Sequence, residues 1–480
     1  MSWRGADVLA RTLAAAGTRH VFALSGNHVM PVFDAALDAQ LSLVHVRHEA
    51  AAVHMADAWG RLTGEPGIAL VTGGPGHANA LGALYTALAA ESPMVLISGH
   101  APRDELGKGA FQEMPQAALA KPLTVASWTA KSADTIGKDV ARALRESRKG
   151  PVHLSVPNDV LDAKTDAKIV FEKDKPARAA KPFEKLKSAK RPLVIAGPAA
   201  IRAKRSGSMP VIGMESPRGV NDPSLGKLAE VLARADVVLL LRKPLDFTLR
   251  FGKAFQKDCR ILRAEGEVDL PAPSAAQRAW FDEVRAALSY RPPEWKEIQS
   301  TLHPVVVCRE VQKLLAAPGA VLVSDGGEFG QWAQACLSAP RRIINGPAGS
   351  IGSALPFAAA AKLAFPDAPV VALMGDGTLG FHLSEIDTAV RYGLSYIAVV
   401  GNDACWNAEY QIQLRAYGAA RAHGLDLLPT RYGAAAAALG AHGEDVSSAE
   451  QLRSALERAT SAKKAALVNV MIERVAAPRY

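Results

Sequence analysis

The chain has 480 residues, 49% of them hydrophobic, and a formal net charge of +9 at pH 7. This length and apolar content predict about three domains with large cores and exclude an intrinsically disordered protein. The 4 cysteines are scattered without a CxxC pair, which argues against a zinc site or a disulfide framework and fits a reducing cytoplasm.

The sequence lacks the features of a membrane or exported protein. It has no uninterrupted apolar run of the roughly 20 residues that cross a bilayer. Residues 1–7 lack the charged-then-apolar pattern of a signal peptide. We therefore expect a cytoplasmic protein with no membrane partner.

Much of the positive charge is concentrated between residues 164 and 205. The pattern predicts a solvated linker and helix face, so we expect no nucleic-acid partner. A weak attraction for anionic substrates remains open. The basic residues are Lys164, Lys168, Lys173, Lys175, Arg178, Lys181, Lys185, Lys187, Lys190, Arg191, Arg202, Lys204 and Arg205.

The first segment alternates short hydrophobic strands with helices, which predicts a parallel sheet. Helices are expected at 49–63 and 78–89. Strands are expected at 20–24, 43–46, 67–72, 93–98 and 152–156.

Polar residues follow the first three of these strands, where open parallel sheets bind ligands. His28 titrates near neutral pH, so it is a candidate acid or base, with a structural role as the alternative. Glu49 begins a predicted helix, where it could simply stabilise the helix dipole. Gly76 and Asn79 belong to Gly-Pro-Gly-His-Ala-Asn, which by itself is a glycine turn before a helix.

A lysine- and proline-rich stretch from about 162 to 191 predicts a linker to a second α/β segment. The strands of this segment are expected at 192–197, 210–213 and 236–241, and a basic loop separates the first two. Prolines close it at positions 271, 273, 292 and 293.

The third segment, from about residue 300, contains two strands whose ends give the strongest signal. Strand 370–374 runs into Gly-Asp-Gly-Thr, and strand 396–400 is followed by Asp403, 27 residues after Asp376. A helix at 384–391, with Ser384 as its N-cap, would connect them and bring the strand ends together. Two carboxylates there can hold a hard cation against a diphosphate. The alternative is two ordinary loops with capping acids.

A glycine-rich loop at 345–352 precedes a helix expected at 354–365. Together, the motifs at these strand ends resemble those of the thiamine diphosphate-dependent decarboxylase and carboligase superfamily. The chain looks most like acetolactate synthases, and it also resembles benzaldehyde lyases and 2-hydroxyacyl-CoA lyases. The resemblance covers nearly the whole chain. It implies an α/β fold of three consecutive doubly wound parallel-sheet domains: a pyrimidine-binding domain (1–165), a shortened middle domain (185–290) and a diphosphate- and Mg²⁺-binding domain (300–480).

The resemblance implies a role for individual residues. In the family, two residues matching Asp376 and Asp403 and a carbonyl matching that of Cys405 bind Mg²⁺. Asp403 departs from the usual asparagine. Residues expected to contact thiamine diphosphate are Glu49, Gly76, Asn79, Ile351, Gly375, Asp376, Gly377, Thr378, Asp403 and Trp406.

The implied catalytic residues are Glu49, His28 and Gln112. Glu49 matches the glutamate that exchanges a proton with the cofactor's aminopyrimidine, a task that requires a buried carboxylate. His28 and Gln112 match residues of the substrate pocket. Ile351 matches the bulky residue that imposes the bent cofactor shape. Glu328 departs from the family's Gln-His pattern, so no phosphate contact is expected from it.

The expected function is thiamine diphosphate- and Mg²⁺-dependent carboligation or decarboxylation of 2-keto acids. Cleavage of 2-hydroxy ketones or 2-hydroxyacyl-CoA, or decarboxylation of oxalyl-CoA, is the alternative, and His28 favours the first two. A cofactor-binding homologue with little activity is an alternative of another class, indicated by Asp403 and opposed by Glu49. The shortened middle domain makes FAD unexpected. The family implies a homodimer or homotetramer with active sites between subunits.

Overall fold

A computed structural model describes residues 2–170, 181–182, 184–202, 206–207, 209–265, 268–298 and 302–479. Over these residues the chain forms three successive α/β units built on parallel sheets, which confirms the predicted fold class. Part of the predicted linker and of the basic cluster lies outside the described residues, namely Lys173, Lys175, Arg178, Lys204 and Arg205.

The first unit contains the strands β1 (Trp3–Arg4), β2 (His20–Ala23), β3 (Ser42–His45), β4 (Gly67–Val71), β5 (Met94–His100), β6 (Ala126–Thr129), β7 (Val152–Pro157) and β8 (Lys164–Thr165). Its helices are α1 (Gly5–Ala15), α2 (Met30–Asp38), α3 (Glu49–Thr63), α4 (Pro75–Ala89), α5 (Gln116–Ala120), α6 (Ile136–Glu146) and α7 (Asn158–Asp162). Six strands form a parallel sheet in the order β3-β2-β4-β5-β7-β6, and β1 pairs antiparallel with β8. Strands β4 and β5 are buried along their whole length, as expected when helices cover both faces.

The second unit contains the strands β9 (Lys181–Pro182), β10 (Pro192–Ala196), β11 (Ser206–Gly207), β12 (Ile212–Gly213), β13 (Val237–Leu241), β14 (Arg260–Ala264) and β15 (Val268–Leu270). Its helices are α8 (Pro198–Arg202), α9 (Leu228–Leu232) and α10 (Ala275–Ser289). The main sheet is parallel with the order β12-β10-β13-β14, and a smaller parallel sheet has the order β11-β15-β9. A short helix, α8, therefore follows β10 where the sequence predicted only a loop.

The third unit contains the strands β16 (Val321–Ser324), β17 (Arg341–Ile344), β18 (Val370–Gly375), β19 (Ile397–Asn402), β20 (His442–Val446) and β21 (Ala466–Met471). Its helices are α11 (Pro304–Leu314), α12 (Gly327–Cys336), α13 (Ala354–Ala364), α14 (Asp376–Leu379), α15 (Glu385–Arg391), α16 (Asn407–Tyr417), α17 (Tyr432–Ala438) and α18 (Ala449–Ser461). The sheet order is β17-β16-β18-β19-β21-β20, and all pairs are parallel. The adjacent strands β18 and β19 bring the two predicted strand ends side by side.

One hydrophobic core joins the first and third units, because helices α3 and α13 pack against each other. Met55 and Phe357 are both fully buried in it. Polar contacts reinforce the junction. The backbone N–H of Arg47 donates to Glu385 Oε1 over 3.0 Å, and Arg61 donates to the carbonyl oxygen of Ile344 over 2.7 Å. The two units are therefore held in a fixed relation within one chain.

Several boundaries differ from the predicted ones for local reasons. Helix α4 begins at Pro75, three residues earlier than predicted, because proline suits the first helical turn, where its missing N–H costs nothing. Ser384 precedes α15 as predicted, but its own backbone is helical and its side chain makes no capping hydrogen bond. The predicted strand at 210–213 is reduced to Ile212–Gly213.

Among the described residues, no helix is both long and apolar enough to cross a membrane.

Candidate active site

Glu49 in the first turn of α3 meets Asn79 in the second turn of α4. The Nδ2 amide of Asn79 donates to Glu49 Oε2 over 3.0 Å, and the Glu49 side chain is buried. Gly76 completes this group, since a Cβ there would lie 3.3 Å from Glu49 Oε1. The structure thus brings together three of the predicted residues. Glu49 also lies in the first turn of α3, where the helix dipole stabilises a negative charge.

His28 lies beside the glycine turn between β4 and α4. Its Nδ1 is 3.4 Å from Thr72 Oγ1, and a Cβ on Gly73 would lie 3.1 Å from the same nitrogen. Burial lowers the pKa of His28, repulsion from His100 lowers it further, and the charge of Glu105 opposes this. The imidazole is therefore mainly neutral at pH 7 and can accept a proton.

Gln112 contacts the same glycine turn from a neighbouring loop. It is half-buried and has a left-handed backbone with φ of 57°. A Cβ on Gly74 would lie only 2.7 Å from the Cβ of Gln112. The preceding residue, Phe111, is 65% exposed, and its ring centroid is 6.1 Å from that of His28.

Gln116 fixes this turn and was not predicted from the sequence. Its buried amide accepts a hydrogen bond from the Gly74 N–H over 2.9 Å. It also donates to the carbonyl oxygen of Gly99 and to Ser155 Oγ, each over 3.0 Å. A glutamine that begins a short helix has no distinctive sequence pattern, so only the tertiary structure reveals its role.

A second group of predicted residues lines a cavity of about 260 Å³ between the third and second units. None of the first group, which comprises Glu49, His28, Gly76, Asn79 and Gln112, lines it. The predicted residues that do line it are Ile351, Gly375, Asp376, Gly377, Thr378, Asp403, Cys405 and Trp406. The structure therefore divides the predicted site residues of this chain into two half-sites.

The cavity contains two neighbouring acids, Asp376 and Asp403, and both have a raised pKa. Burial raises the pKa of Asp376 to about 6. Burial raises the pKa of Asp403 to about 7, with repulsion from Asp376 as the next cause. Asp376 Oδ2 is buried and has no hydrogen-bond partner among the described residues. Two carboxylates in one cavity, one of them buried with an unpartnered oxygen, are the kind of oxygen ligands that a hard divalent cation such as Mg²⁺ prefers.

Within the described part of the chain, no group of three or more His, Cys, Asp or Glu side chains forms a metal site. A third protein ligand would then be a backbone oxygen, and the predicted one, from Cys405, belongs to a residue of the same cavity. Glycines let the side chains that line the cavity pack directly against its backbone. A Cβ on Gly377 would lie 2.7 Å from the Trp406 ring, and a Cβ on Gly326 would lie 2.8 Å from Ile351 Cγ2. These residues fit a diphosphate group with its cation.

The Ile351 loop is held by two residues that the sequence analysis did not single out. The buried carboxylate of Asp325 accepts hydrogen bonds from the backbone N–H groups of Gly352 and Ala354. On the other side, His382 Nδ1–H donates to the carbonyl oxygen of Gly352 over 2.7 Å. Asp325 lies at the end of β16, so its place at a strand end was a usable signal. The role of His382 depends on tertiary contacts alone.

Glu328 lines the cavity, but hydrogen bonds already occupy both of its carboxylate oxygens. Oε1 accepts from the Ala477 N–H over 2.7 Å, and Oε2 accepts from Gln331 Nε2 over 3.1 Å. The side chain thereby connects α12 to the segment that follows the last strand. Phe329, the next residue, packs on Gly401 at the end of β19.

Comparison with known proteins gives matches at both ends of the chain. Residues 3–119 match the family model described as "Thiamine pyrophosphate enzyme, N-terminal TPP binding domain". Residues 325–470 match "Thiamine pyrophosphate enzyme, C-terminal TPP binding domain".

Individual relatives extend over nearly the full length. A probable acetolactate synthase of Mycobacterium bovis is 32% identical, with 98% of this chain and 96% of the relative covered. 2-hydroxyacyl-CoA lyase 2 of Caenorhabditis elegans is 28% identical, with 98% and 89% covered. 2-hydroxyacyl-CoA lyase 2 of Homo sapiens is 29% identical, with 92% and 84% covered.

Proposed function

Because the chain belongs to the thiamine pyrophosphate enzymes, which form or cleave C–C bonds, we propose that it is a Mg²⁺-dependent carboligase or decarboxylase of 2-keto acids. The relative named as a probable acetolactate synthase supports this choice of reaction. The structural observation that carries the proposal is the pair formed by the buried Asp376 and the half-buried Asp403 in the cavity that Ile351 also lines.

In this proposal Asp376, Asp403 and the carbonyl of Cys405 hold Mg²⁺, and Gly375, Gly377 and Thr378 surround the diphosphate. Trp406 and Ile351 pack against the rest of the cofactor. When bound, thiamine diphosphate would supply an electron sink that stabilises negative charge on the former carbonyl carbon of the substrate.

Glu49 would hold and transfer the activating proton through Oε1. Its other oxygen, Oε2, accepts from Asn79, which fixes the plane of the carboxylate. The lack of a side chain at Gly76 keeps the space beside Oε1 open. A buried carboxylate in a fixed orientation is what proton exchange with a bound aromatic amine requires.

His28 and Gln112 would serve the substrate. His28 is mainly neutral at pH 7, so it can accept a proton from a substrate hydroxyl and return it. Gln112 offers an amide from the loop that borders the glycine turn. The hydrogen bonds of Gln116 keep that turn in place.

Because the two half-sites of one chain do not share a cavity, we propose that a second copy completes each active site in a homodimer or homotetramer. The exposed face of α4 supports such a contact. Asn79 and Tyr85 are exposed there, and a Cβ on Gly82 would meet nothing within 4 Å. An exposed glycine inside a helix lowers helix stability by about 1 kcal/mol relative to alanine. Close packing of a second subunit against Gly82 would explain why no side chain is present there.

The proposed domains are residues 1–165, 185–290 and 300–480, with a pyrimidine-binding, a middle and a diphosphate-binding role. A cytoplasmic location without nucleic-acid or membrane partners is part of the proposal, and FAD is not expected in the middle domain. The cysteines Cys259, Cys308, Cys336 and Cys405 are unpaired, which fits a reducing compartment.

Cleavage of a 2-hydroxy ketone or of 2-hydroxyacyl-CoA is the second candidate function. His28 favours it, because a base near the substrate hydroxyl starts such a cleavage, and the 2-hydroxyacyl-CoA lyase relatives agree with it. Oxalyl-CoA decarboxylation belongs to the same alternative. A cofactor-binding homologue with little activity is the third, because Asp403 adds a charge where the family has an amide.

Calorimetric titration of thiamine diphosphate with and without Mg²⁺ tests the cofactor assignment, and binding should require the metal. Turnover of pyruvate, benzoin, 2-hydroxyacyl-CoA and oxalyl-CoA, followed by product mass, then separates the three candidates. Binding that ignores Mg²⁺ would contradict the proposal. Binding without turnover of any substrate would favour the inactive homologue.

A further inference from the structure

Arg218 brings a positive charge from the second unit into the cavity of the third. It lines the cavity and is half-buried. Within the described part of the chain its guanidinium has no carboxylate within 4 Å and no hydrogen-bond partner, and no other Lys or Arg lines this cavity. Burial lowers the pKa of Arg218, the direction expected for a cation without a direct partner. Burying a guanidinium without a partner costs free energy unless a ligand accepts its hydrogen bonds.

The backbone on both sides of Arg218 is fixed. Before it, Glu215 forms an ion pair of 3.2 Å with Arg342 of the third unit. After it, Gly219 has φ of 54°, and any Cβ there would collide with the carbonyl oxygen of Thr248 at 2.1 Å. The N–H of Arg218 itself donates to Ser216 Oγ over 3.2 Å. The guanidinium is therefore carried by a rigid turn, as a recognition residue should be.

Two further arginines act on Arg218 and form, with it, what we name the arginine rim: Arg218, Arg415 and Arg479. Arg415 follows the cavity residue Ile412 by one turn of α16. Arg479 is two residues beyond Ala477, whose N–H binds the cavity residue Glu328. Both positive charges act on Arg218, against the charges of Glu328 and Glu409. Glu328 and Glu409 line the cavity, whereas Arg415 and Arg479 do not, so Arg218 is the rim residue that presents its charge to a ligand there.

The arginine rim is distinct from the acidic end of the cavity. The cation that acts on Asp403 and Asp376 is Arg474, which is already engaged. Arg474 forms an ion pair of 2.9 Å with Asp426 and donates to the carbonyl oxygen of Asp403 over 3.2 Å. Arg218 thus remains available for a second anion besides the diphosphate.

We infer that Arg218 binds the carboxylate of a 2-keto acid substrate. A guanidinium matches a carboxylate through two parallel hydrogen bonds. Pro217, Ile412 and Trp406 line the same cavity and offer apolar surface to the substrate's side chain. This inference rests on the proposed function and specifies which substrate class the site selects.

The test compares Arg218→Met with Arg263→Met, which removes the same charge from the exposed edge of β14 in the same unit. For Arg218→Met we expect the KM for pyruvate to rise at least about 30-fold with kcat within about threefold, the loss typical of a charge pair broken on one side. Arg263→Met should leave both constants unchanged. Arg218→Lys should recover part of the loss, and unchanged melting temperatures would show that all variants fold.

A binding measurement makes the test independent of turnover. Oxamate has the shape of a 2-keto acid and does not react, so its titration into the cofactor-free protein reports on the carboxylate site alone. Weaker oxamate binding in Arg218→Met supports the inference even if the wild type proves to have no turnover. Unchanged oxamate binding with weaker thiamine diphosphate binding overturns it, because Arg218 would then serve the diphosphate. A loss confined to 2-hydroxyacyl-CoA also overturns it, because the anion recognised would be a phosphate.

Discussion

Asn79 donates a 3.0 Å hydrogen bond to Glu49 Oε2, which connects the acid at the start of α3 to the second turn of α4. The bond leaves Oε1 as the oxygen available to a ligand. It also explains why a glycine-rich turn precedes α4, since Gly76 gives that oxygen room.

Glu49→Gln is expected to abolish turnover while the affinity for thiamine diphosphate changes by no more than about twofold. The amide keeps the shape and can still accept from Asn79, but it cannot exchange a proton. General acid–base catalysis accelerates a reaction by about 10² to 10⁴-fold, so kcat should fall by at least about 10²-fold. Steady-state kinetics and calorimetry check the two parts. Asn79→Ala should show a smaller loss, and wild-type activity in Glu49→Gln would refute the assignment.

Asp403→Asn is expected to stabilise the metal-free protein at pH 8 and to preserve Mg²⁺-linked cofactor binding. Burial raises the pKa of Asp403 to about 7, with repulsion from Asp376 as the next cause. Stability is therefore lost as the pH rises from the ordinary carboxyl pKa of about 4, and the full loss is present above about pH 7. Removing the charge should raise the unfolding free energy by about 1–2 kcal/mol in urea titrations. Asp376→Asn is the comparison variant, and in it Mg²⁺ should no longer strengthen the binding of thiamine diphosphate. A lower stability of Asp403→Asn at pH 8 would speak against repulsion between the two acids.

His77 and His382 should make the metal-free protein lose stability as the pH falls from about 6.5 towards 4. The raised pKa values of Asp325, Asp376 and Asp403 act in the opposite direction. Burial lowers the pKa of both His77 and His382 to about 4. A histidine with a depressed folded pKa contributes stability that is present above its unfolded pKa and lost as pH falls through its folded pKa. Each one therefore adds a slope of at most about 1.4 kcal/mol per pH unit in this window and none above it.

Urea unfolding at pH 7.5, 6 and 5 measures this slope. His77→Gln should reduce it, because glutamine does not titrate, and its amide can replace the contact of 2.9 Å between His77 Nδ1 and Ser98 Oγ. His423→Gln, at an exposed position, should leave the slope unchanged. An identical slope in wild type and His77→Gln would disprove the contribution of His77.

Asp325→Ala should destabilise the protein by about 2–4 kcal/mol, since the buried N–H groups of Gly352 and Ala354 would lose their acceptor. The Ile351 loop would loosen, so kcat should fall as well. Thermal and urea unfolding together with kinetics measure both effects. Ser384→Ala is the matched control, because its side chain makes no capping bond, and it should change stability by less than about 0.5 kcal/mol. Equal stability of the two variants would contradict the role of Asp325.

Much of the fold was predictable from hydrophobic runs such as 67–71 and 370–374, because strands buried on both faces are apolar at every position. The strand ends at Glu49 and Asp376 were predictable for a related reason, since polar residues directly after such runs are conspicuous. Strand β6 (Ala126–Thr129) was missed, because it is a half-buried edge strand without a periodic pattern. Gln116 and His382 act through contacts with residues distant in sequence, and local patterns do not contain that information.

The division into two half-sites was also beyond the sequence. Motifs give residue types and order, whereas α3 packs on α13 through a core that only the folded chain reveals. That packing keeps Glu49 outside the cavity that Asp376 lines.

In the proposed dimer, the placement of Glu49 and Asp376 in separate half-sites has a genetic consequence. A Glu49→Gln subunit retains an intact acidic pair, and an Asp376→Asn subunit retains an intact Glu49. When two such inactive proteins exchange subunits, one active site receives both defects and the other receives none. Alleles that each abolish activity would therefore complement one another in the same cell.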